Sequence, residues 1–205
     1  MYRLATRQLS KRFGDRRVFE DISLEIVTGQ SLGIVGENGS GKSTLLSILL
    51  GYQRPTRGHV QWENDGQPLT DARRRDRMAL VAPYLNLYDQ LTAEENLVFL
   101  ATVGDIHITG KEINALLARV GLEGRGQDMV GAYSSGMKQR IKYAAALLGR
   151  PDFLLLDEPT ANLDEKGKTL VADLIEEYRR EAIVIVATNE EEEYRFADQL
   201  CRLGN

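Results

Sequence analysis

The stretch SLGIVGENGSGKSTLLSILL, residues 31–50, constrains the fold of this chain more than any other. SLGIVG at 31–36 is a short apolar run ending in glycine, the pattern of a strand buried on both faces. KSTLLSILL at 42–50 has the spacing of a helix stopped by Gly51. Between them, GENGSGKST at 36–44 fits G-x-x-x-x-G-K-[ST], with Gly36, Gly41, Lys42 and Ser43 at the fixed places. Gly36, Gly39 and Gly41 let the backbone turn so that the amides of Glu37, Asn38, Ser40 and Thr44 point inward. The following helix adds the positive end of its dipole. Lys42 is then placed for β- and γ-phosphates and the Ser43 hydroxyl for Mg²⁺. A glycine turn with a solvated lysine has the same letters, but the strand before and the helix after favour nucleotide phosphate.

Further apolar runs, MALVA, FLLL and AIVIVA, alternate with helical patterns, so the expected fold is α/β with a largely parallel, buried sheet: a P-loop nucleotide-binding core. The first sixty or so residues hold short segments such as YRLATRQL, VFEDISLEI and HVQW, which predict a small antiparallel sheet, with Trp62 packing inside it. Residues 84–140 read as a mostly helical insertion, in which Thr92 with Glu95 and Thr109 with Glu112 fit capping boxes. No repeat or low-complexity linker divides the chain, so residues 1–205 are expected to form a single nucleotide-binding domain. A net charge of −4 gives no electrostatic match to nucleic acid. The single cysteine, Cys201, excludes an internal disulfide and suits a reducing compartment. No apolar run approaches the roughly 18 residues of a membrane span. ARRRDR at 72–77 is expected to be a solvated loop.

FLLLDEP at 153–159 supplies the second piece of a site. Four apolar residues put Asp157 at the carboxyl end of a buried strand, where open α/β sheets bind ligands. A carboxylate there holds the Mg²⁺ of a nucleotide, and Glu158 beside it is placed to take a proton from an attacking water. Acids are also common at helix starts, so this pair carries weight only alongside the phosphate loop.

With YSSGMKQR at 133–140 and ANLD at 161–164 added, the chain resembles the ATP-binding cassette ATPases over essentially its whole length and in the family's motif order. The resemblance implies ATP and Mg²⁺ as cofactors and two cassettes facing head to tail around two ATP molecules. The second cassette would be another copy or a homologue. Ser134 and Gly136 match the signature that caps the γ-phosphate held by the partner copy; Ser135 and Met137 depart from its commonest form in a way similar to exporter-type cassettes. The free amides at the start of MKQRIKYAAALLG suit that role, although Ser134 would serve equally as a helix cap. Phe13 matches the aromatic that stacks on adenine, with Val18 against the same base, and Asp164 the loop linking the two sites.

Two positions depart from the family pattern. Where a glutamine usually follows the MALVA strand, Ala82 or Pro83 stands; Asn86, Gln90 or a water would have to replace it. Where a histidine usually contacts the γ-phosphate, the chain has Asn189. Asparagine can donate a hydrogen bond but cannot exchange a proton, and it is also a common N-cap. The glutamates at 190–193 fit the first turn of a surface helix. The resemblance implies the ATP-hydrolysing subunit of an exporter, cytoplasmic and peripheral on the membrane, bound to an integral membrane subunit. The layout is also similar to the haem-exporter ATPases of cytochrome c maturation. The chain stops at CRLGN, which suggests no C-terminal regulatory domain. A cassette acting in DNA repair or translation would carry coiled-coil insertions or a second cassette. A nucleotide switch that barely hydrolyses is the remaining alternative.

Overall fold

Strands buried along their whole length need cover on both faces, and the chain supplies it with two different layers. The computed structural model describes residues 1–204. Its elements run β1 (Tyr2–Phe13), β2 (Arg16–Val27), β3 (Ser31–Val35), α1 (Lys42–Leu49), β4 (Arg57–Asn64), β5 (Gln67–Pro68), α2 (Asp71–Arg75) and β6 (Met78–Val81). The helices α3 (Ala93–Val103), α4 (Gly110–Arg119) and α5 (Ser135–Leu147) follow, and then β7 (Phe153–Asp157), α6 (Glu165–Tyr178), β8 (Ile183–Thr188) and β9 (Gln199–Arg202). Among the described residues the strands form two sheets. One is antiparallel, ordered β2-β1-β4-β5; the other is parallel, ordered β6-β7-β8-β3-β9.

The parallel sheet divides its side chains by alternation. Phe153, Leu155, Ile183 and Ile185 point to a core shared with Leu4, Ile26 and Trp62 of the antiparallel sheet and with Leu45 and Leu49 of α1. Leu154, Leu156, Val184 and Val186 point to the opposite core, made by Ile141 and Ala144 of α5, Val171 and Ile175 of α6, and Leu97 of α3. Phe153 is the hinge of the first core. Its ring meets Tyr2 and Trp62 edge-on, at centroid distances of 5.2 and 4.6 Å, so Trp62 packs in the antiparallel sheet, as expected, and also reaches across to the parallel one.

Three helices stand between β6 and β7. Both capping boxes form: Thr92 accepts from the Glu95 amide and Thr109 from the Glu112 amide, with each glutamate returning a bond. Asn96, wholly buried, accepts from the Tyr88 amide at 2.8 Å and donates to the Tyr88 carbonyl at 3.0 Å, which fixes the loop after β6. No helix among the described residues is long and apolar enough to cross a membrane.

Two local expectations differ from the structure. The basic run at 72–77 is not a plain loop: most of it forms α2, because Thr70 caps the Arg73 amide and Asp71 occupies the first turn. The glutamates after Asn189 do not open a surface α-helix. Residues Glu191–Phe196 form a 3₁₀ turn, with Glu193 and Phe196 buried, while the other three glutamates, Glu190, Glu191 and Glu192, are in solvent. Phe196 anchors that turn in the core, and this draws Glu193 inward with it.

The sheet-to-sheet contact gives a direct test. Phe153→Ala should lower unfolding free energy by about 3–5 kcal/mol, seen as a reduced urea midpoint with an unchanged slope.

Candidate functional site

The register of the parallel sheet sets the site. Val35 lies opposite Thr188, and Asp157 opposite Ala187, so β3, β7 and β8 end together. The chain leaving them puts Gly36, Glu158 and Asn189 on one carboxyl edge, the usual ligand edge of a parallel sheet.

From β3 the chain turns into the glycine loop and then α1. No side chain caps this helix start and no acidic residue occupies its first turn, so its amides and dipole face the loop unopposed. The Ser40 hydroxyl is buried there without a hydrogen-bond partner among the described residues. Lys42 is buried, and its ammonium donates to the carbonyls of Gly36 at 2.8 Å and Glu37 at 3.0 Å. Gly41 takes φ +105°, and a Cβ on it would stand 2.4 Å from the Val18 side chain, so both conformation and space demand glycine. Phe13, Arg16, Val18, Asn38, Gly39, Gly41, Lys42, Ser43, Thr44 and Glu158 line a single open cleft of 340 Å³. All of these except Arg16 are expected from sequence as a phosphate cradle, a base platform or a proton acceptor, and the structure brings them together. Phe13 is exposed, with the Lys11 ammonium 4.7 Å above its ring. Arg16 was not foreseen; only its closeness to Phe13 and Val18 in sequence signals it.

Beside the cleft, Asp157 is buried, with Ser43 close enough to affect its charge. Burial raises the Asp157 pKa, and Glu158 adds to the rise, while Ser43 and Lys42 oppose it. Glu158 leaves the β7–β8 ladder in the left-handed region, at φ +49°, an unfavourable geometry for a residue with a side chain. Ala82 is buried and Pro83 half-buried at the end of β6. Lys142 of α5 donates to both of their carbonyls, at 3.2 and 2.8 Å. Asn86 is not brought to the Asp157 site. It lines a separate cleft with Asp89, Ser135, Lys138, Gln139 and Asn162. Tyr84, on the same loop, is more than half exposed; partial burial, and then the Asp157 charge, raise its phenol pKa.

The remaining candidates lie elsewhere. Ser134 caps α5, accepting from the Met137 amide at 3.2 Å, and both it and Ser135 are exposed. Gly136 packs so close to the next loop that a Cβ would stand 3.3 Å from the Asn162 carbonyl. Asp164 caps α6 through the Gly167 amide at 2.8 Å. None of these four lines the cleft around Lys42. Asn189 is exposed and is not a cap: the residue before the 3₁₀ turn is Glu190, whose amide is taken by the Thr188 hydroxyl at 2.9 Å.

Comparison with known proteins adds the following. A sequence family described as "ABC transporter" matches residues 19–161. The chain is 33% identical over 199 residues to the Nod factor export ATP-binding protein I of Burkholderia lata, covering 95% of this chain and 66% of that protein. It is 30% identical over 188 residues to the linearmycin resistance ATP-binding protein LnrL of Bacillus subtilis, covering 91% of this chain and 60% of that one. The chain thus spans less than two thirds of these relatives' length. Among solved structures, an ATP-binding cassette captured as a dimer after hydrolysis, with ADP and Pi, superposes with a TM-score of 0.84 at 27% identity. The match covers 98% of this chain and 94% of that one.

The buried acid makes a pH prediction. A carboxyl whose folded pKa lies above its ordinary 3.8 binds its proton more tightly in the folded state, so the fold is penalised once pH exceeds the folded pKa. In Mg²⁺-free buffer at neutral pH, Asp157→Asn should therefore melt higher than the unaltered chain. The gap should close as pH falls into the carboxylate range, as read by differential scanning fluorimetry.

Proposed function

We propose, from the premise that this chain belongs to the ABC transporter family, that it binds and hydrolyses ATP as the energy-supplying subunit of a membrane exporter. The observation that carries this reading is the cleft in which Phe13 and Val18, the uncapped start of α1, Lys42 and Glu158 converge. An all-donor cradle, with its buried hydroxyl on Ser40 and its ammonium on Lys42, suits a polyphosphate. Phe13 offers an exposed ring for adenine, with Val18 against its edge. Ser43 and Asp157 are adjacent hard oxygen donors of the kind Mg²⁺ prefers; bound there, the ion would neutralise charge on the β- and γ-phosphates. Glu158 takes the proton of the attacking water. Asn189, exposed at the same edge, donates a hydrogen bond to the γ-phosphate and exchanges no proton.

Ser134, Ser135 and Asp164 are exposed, Gly136 is half-buried, and none of them lines the chain's own cleft, which suits service to a second copy or homologous cassette placed head to tail. The names of the relatives, Nod factor export and linearmycin resistance, favour export over import. An integral membrane subunit would hold the chain at the cytoplasmic face. Tyr84, Leu85, Tyr88, Val98 and Phe99 are exposed around the loop after β6 and offer it apolar surface, with Tyr88 and Phe99 packed edge-on at 5.2 Å. A second reading, a switch with very weak hydrolysis, draws on one observation: neither Asn86 nor Gln90 lines the cleft around Lys42 in place of the glutamine missing at Ala82 and Pro83, and Asn86 lines the other cleft.

ATP turnover by the purified protein with its membrane partner separates the two. The unaltered complex should exceed a Glu158→Gln complex by about a hundredfold or more, and Lys42→Ala should lose Mg·ATP binding. Asn189→Ala should slow turnover by about tenfold, less than the loss of a full transition-state donor. ATP-dependent dimerisation with turnover no faster than Glu158→Gln would favour the switch.

A further inference from the structure

The peptide groups that follow Glu158 are gripped from two sides by residues outside the cleft. The Tyr143 hydroxyl, from the middle of α5, donates to the Pro159 carbonyl at 2.7 Å in a fully buried contact. Burial, and secondarily the Glu193 charge, push that phenol well above its ordinary pKa, so it remains a donor. From the other side, one oxygen of the Glu193 carboxylate accepts from the Thr160 amide at 3.0 Å and from the Thr160 hydroxyl. Glu193 is 4% exposed, and its second oxygen is buried with no partner among the described residues. A buried carboxylate, half of it unsatisfied, costs stability: the packing of Phe196 draws position 193 inward but does not call for an acid there.

What the grip holds is the strained residue before it. Glu158 has φ +49°, and Asn162, in the same turn, φ +63°. Side chains adopt such geometry only where the surroundings over-determine it. We propose that Glu193 and Tyr143 are positioning residues, which lock the Pro159–Thr160 segment and thereby hold Glu158 in its left-handed conformation, facing the cleft. The clamp ties three parts of the candidate site together. Tyr143 lies on the helix that Ser134 caps, Glu193 lies four residues after Asn189, and Asp164 ends the turn they grip. The role of Glu193 is that of an acceptor. Glutamine keeps the accepting oxygen and places its amide where the unpartnered oxygen now sits, whereas alanine releases the turn.

This inference rests on Glu158 acting as the base, so its test has a part that does not depend on turnover. In nucleotide-free protein, hydrogen exchange of the peptide covering residues 158–164 should quicken by about tenfold in Glu193→Ala and stay unchanged in Glu193→Gln. With ATP and the membrane partner, Glu193→Ala should lower kcat by about tenfold to a hundredfold with KM for ATP within about twofold. Glu193→Gln should recover most of that rate. Should Glu193→Ala fail to fold, Thr160→Val, which removes only the hydroxyl donor, decides the matter: a kcat several-fold lower at unchanged KM supports the clamp, and an unchanged kcat overturns it. Unchanged exchange at 158–164 in Glu193→Ala, or a Glu193→Gln protein as impaired as Glu193→Ala, also overturns it. An unaltered complex that shows no turnover, with exchange behaving as described, would sink the ATPase reading and leave the clamp standing.

Discussion

Everything in this molecule depends on five parallel strands ending at one edge. Parallel pairing puts the carboxyl ends of β3, β7 and β8 side by side, with Val35 beside Thr188 and Ala187 beside Asp157. The main-chain amides at the start of α1, the buried carboxylate and the loop carrying Asn189 are neighbours for that reason alone. β7 and β8 can hold this arrangement because each is covered twice, by the antiparallel sheet and α1 on one face and by helices on the other. Phe153 belongs to the first cover and Leu154 to the second, so one strand that ends in Asp157 is anchored into both cores before it reaches the site.

The same edge is where the structure is least at ease. It gathers a buried carboxylate whose charge is disfavoured, an unpartnered hydroxyl on Ser40, left-handed backbone at Glu158, and a half-satisfied acid at Glu193. Each runs against stability on its own account. Buried polar atoms without partners and left-handed residues also occur elsewhere in the chain, at Trp62 and Asp105 for example, but at this edge they stand beside the donors of the glycine loop, which suits a ligand site.

The parallel sheet, the antiparallel sheet, the glycine loop and both capping boxes were legible because each rests on local pattern. Apolar runs of strand length, glycines at fixed spacing, and threonine three residues before glutamate all state their geometry within a few positions. What sequence did not disclose depends on distant parts of the chain. Four consecutive glutamates look alike, and only Phe196 packing into the core shows that the fourth turns inward to meet Thr160. Tyr84 carries no motif; it nears Asp157 because β6 lies against β7, and because Lys142 and Asn96 fix the loop that follows. Asn86 was a reasonable candidate by type, and the turn after β6 sends it to the other cleft. Even the ARRRDR run was misjudged for want of the threonine cap just ahead of it.

The two departures from the family pattern bear on one another. With Ala82 and Pro83 in place of an amide, and Asn189 in place of an imidazole, no neutral base and no amide from the loop after β6 stands at the cleft beside Glu158. Tyr84 can donate a hydrogen bond, and so can Asn189, but neither accepts a proton readily at neutral pH. In the proposed reaction the work of directing a water and taking its proton would then fall on one carboxylate, Glu158, whose side chain leaves a backbone held in an unfavourable region. In a site with a second base or a second orienting group, some wobble of that carboxylate would be tolerated. Here it would go uncorrected, because misplacement of a reacting group by about 1 Å can cost a hundredfold in rate. A site without those flanking groups would gain more from rigidity behind Glu158, which is the role proposed for the bonds from Tyr143 and Glu193 to the two peptide groups after it.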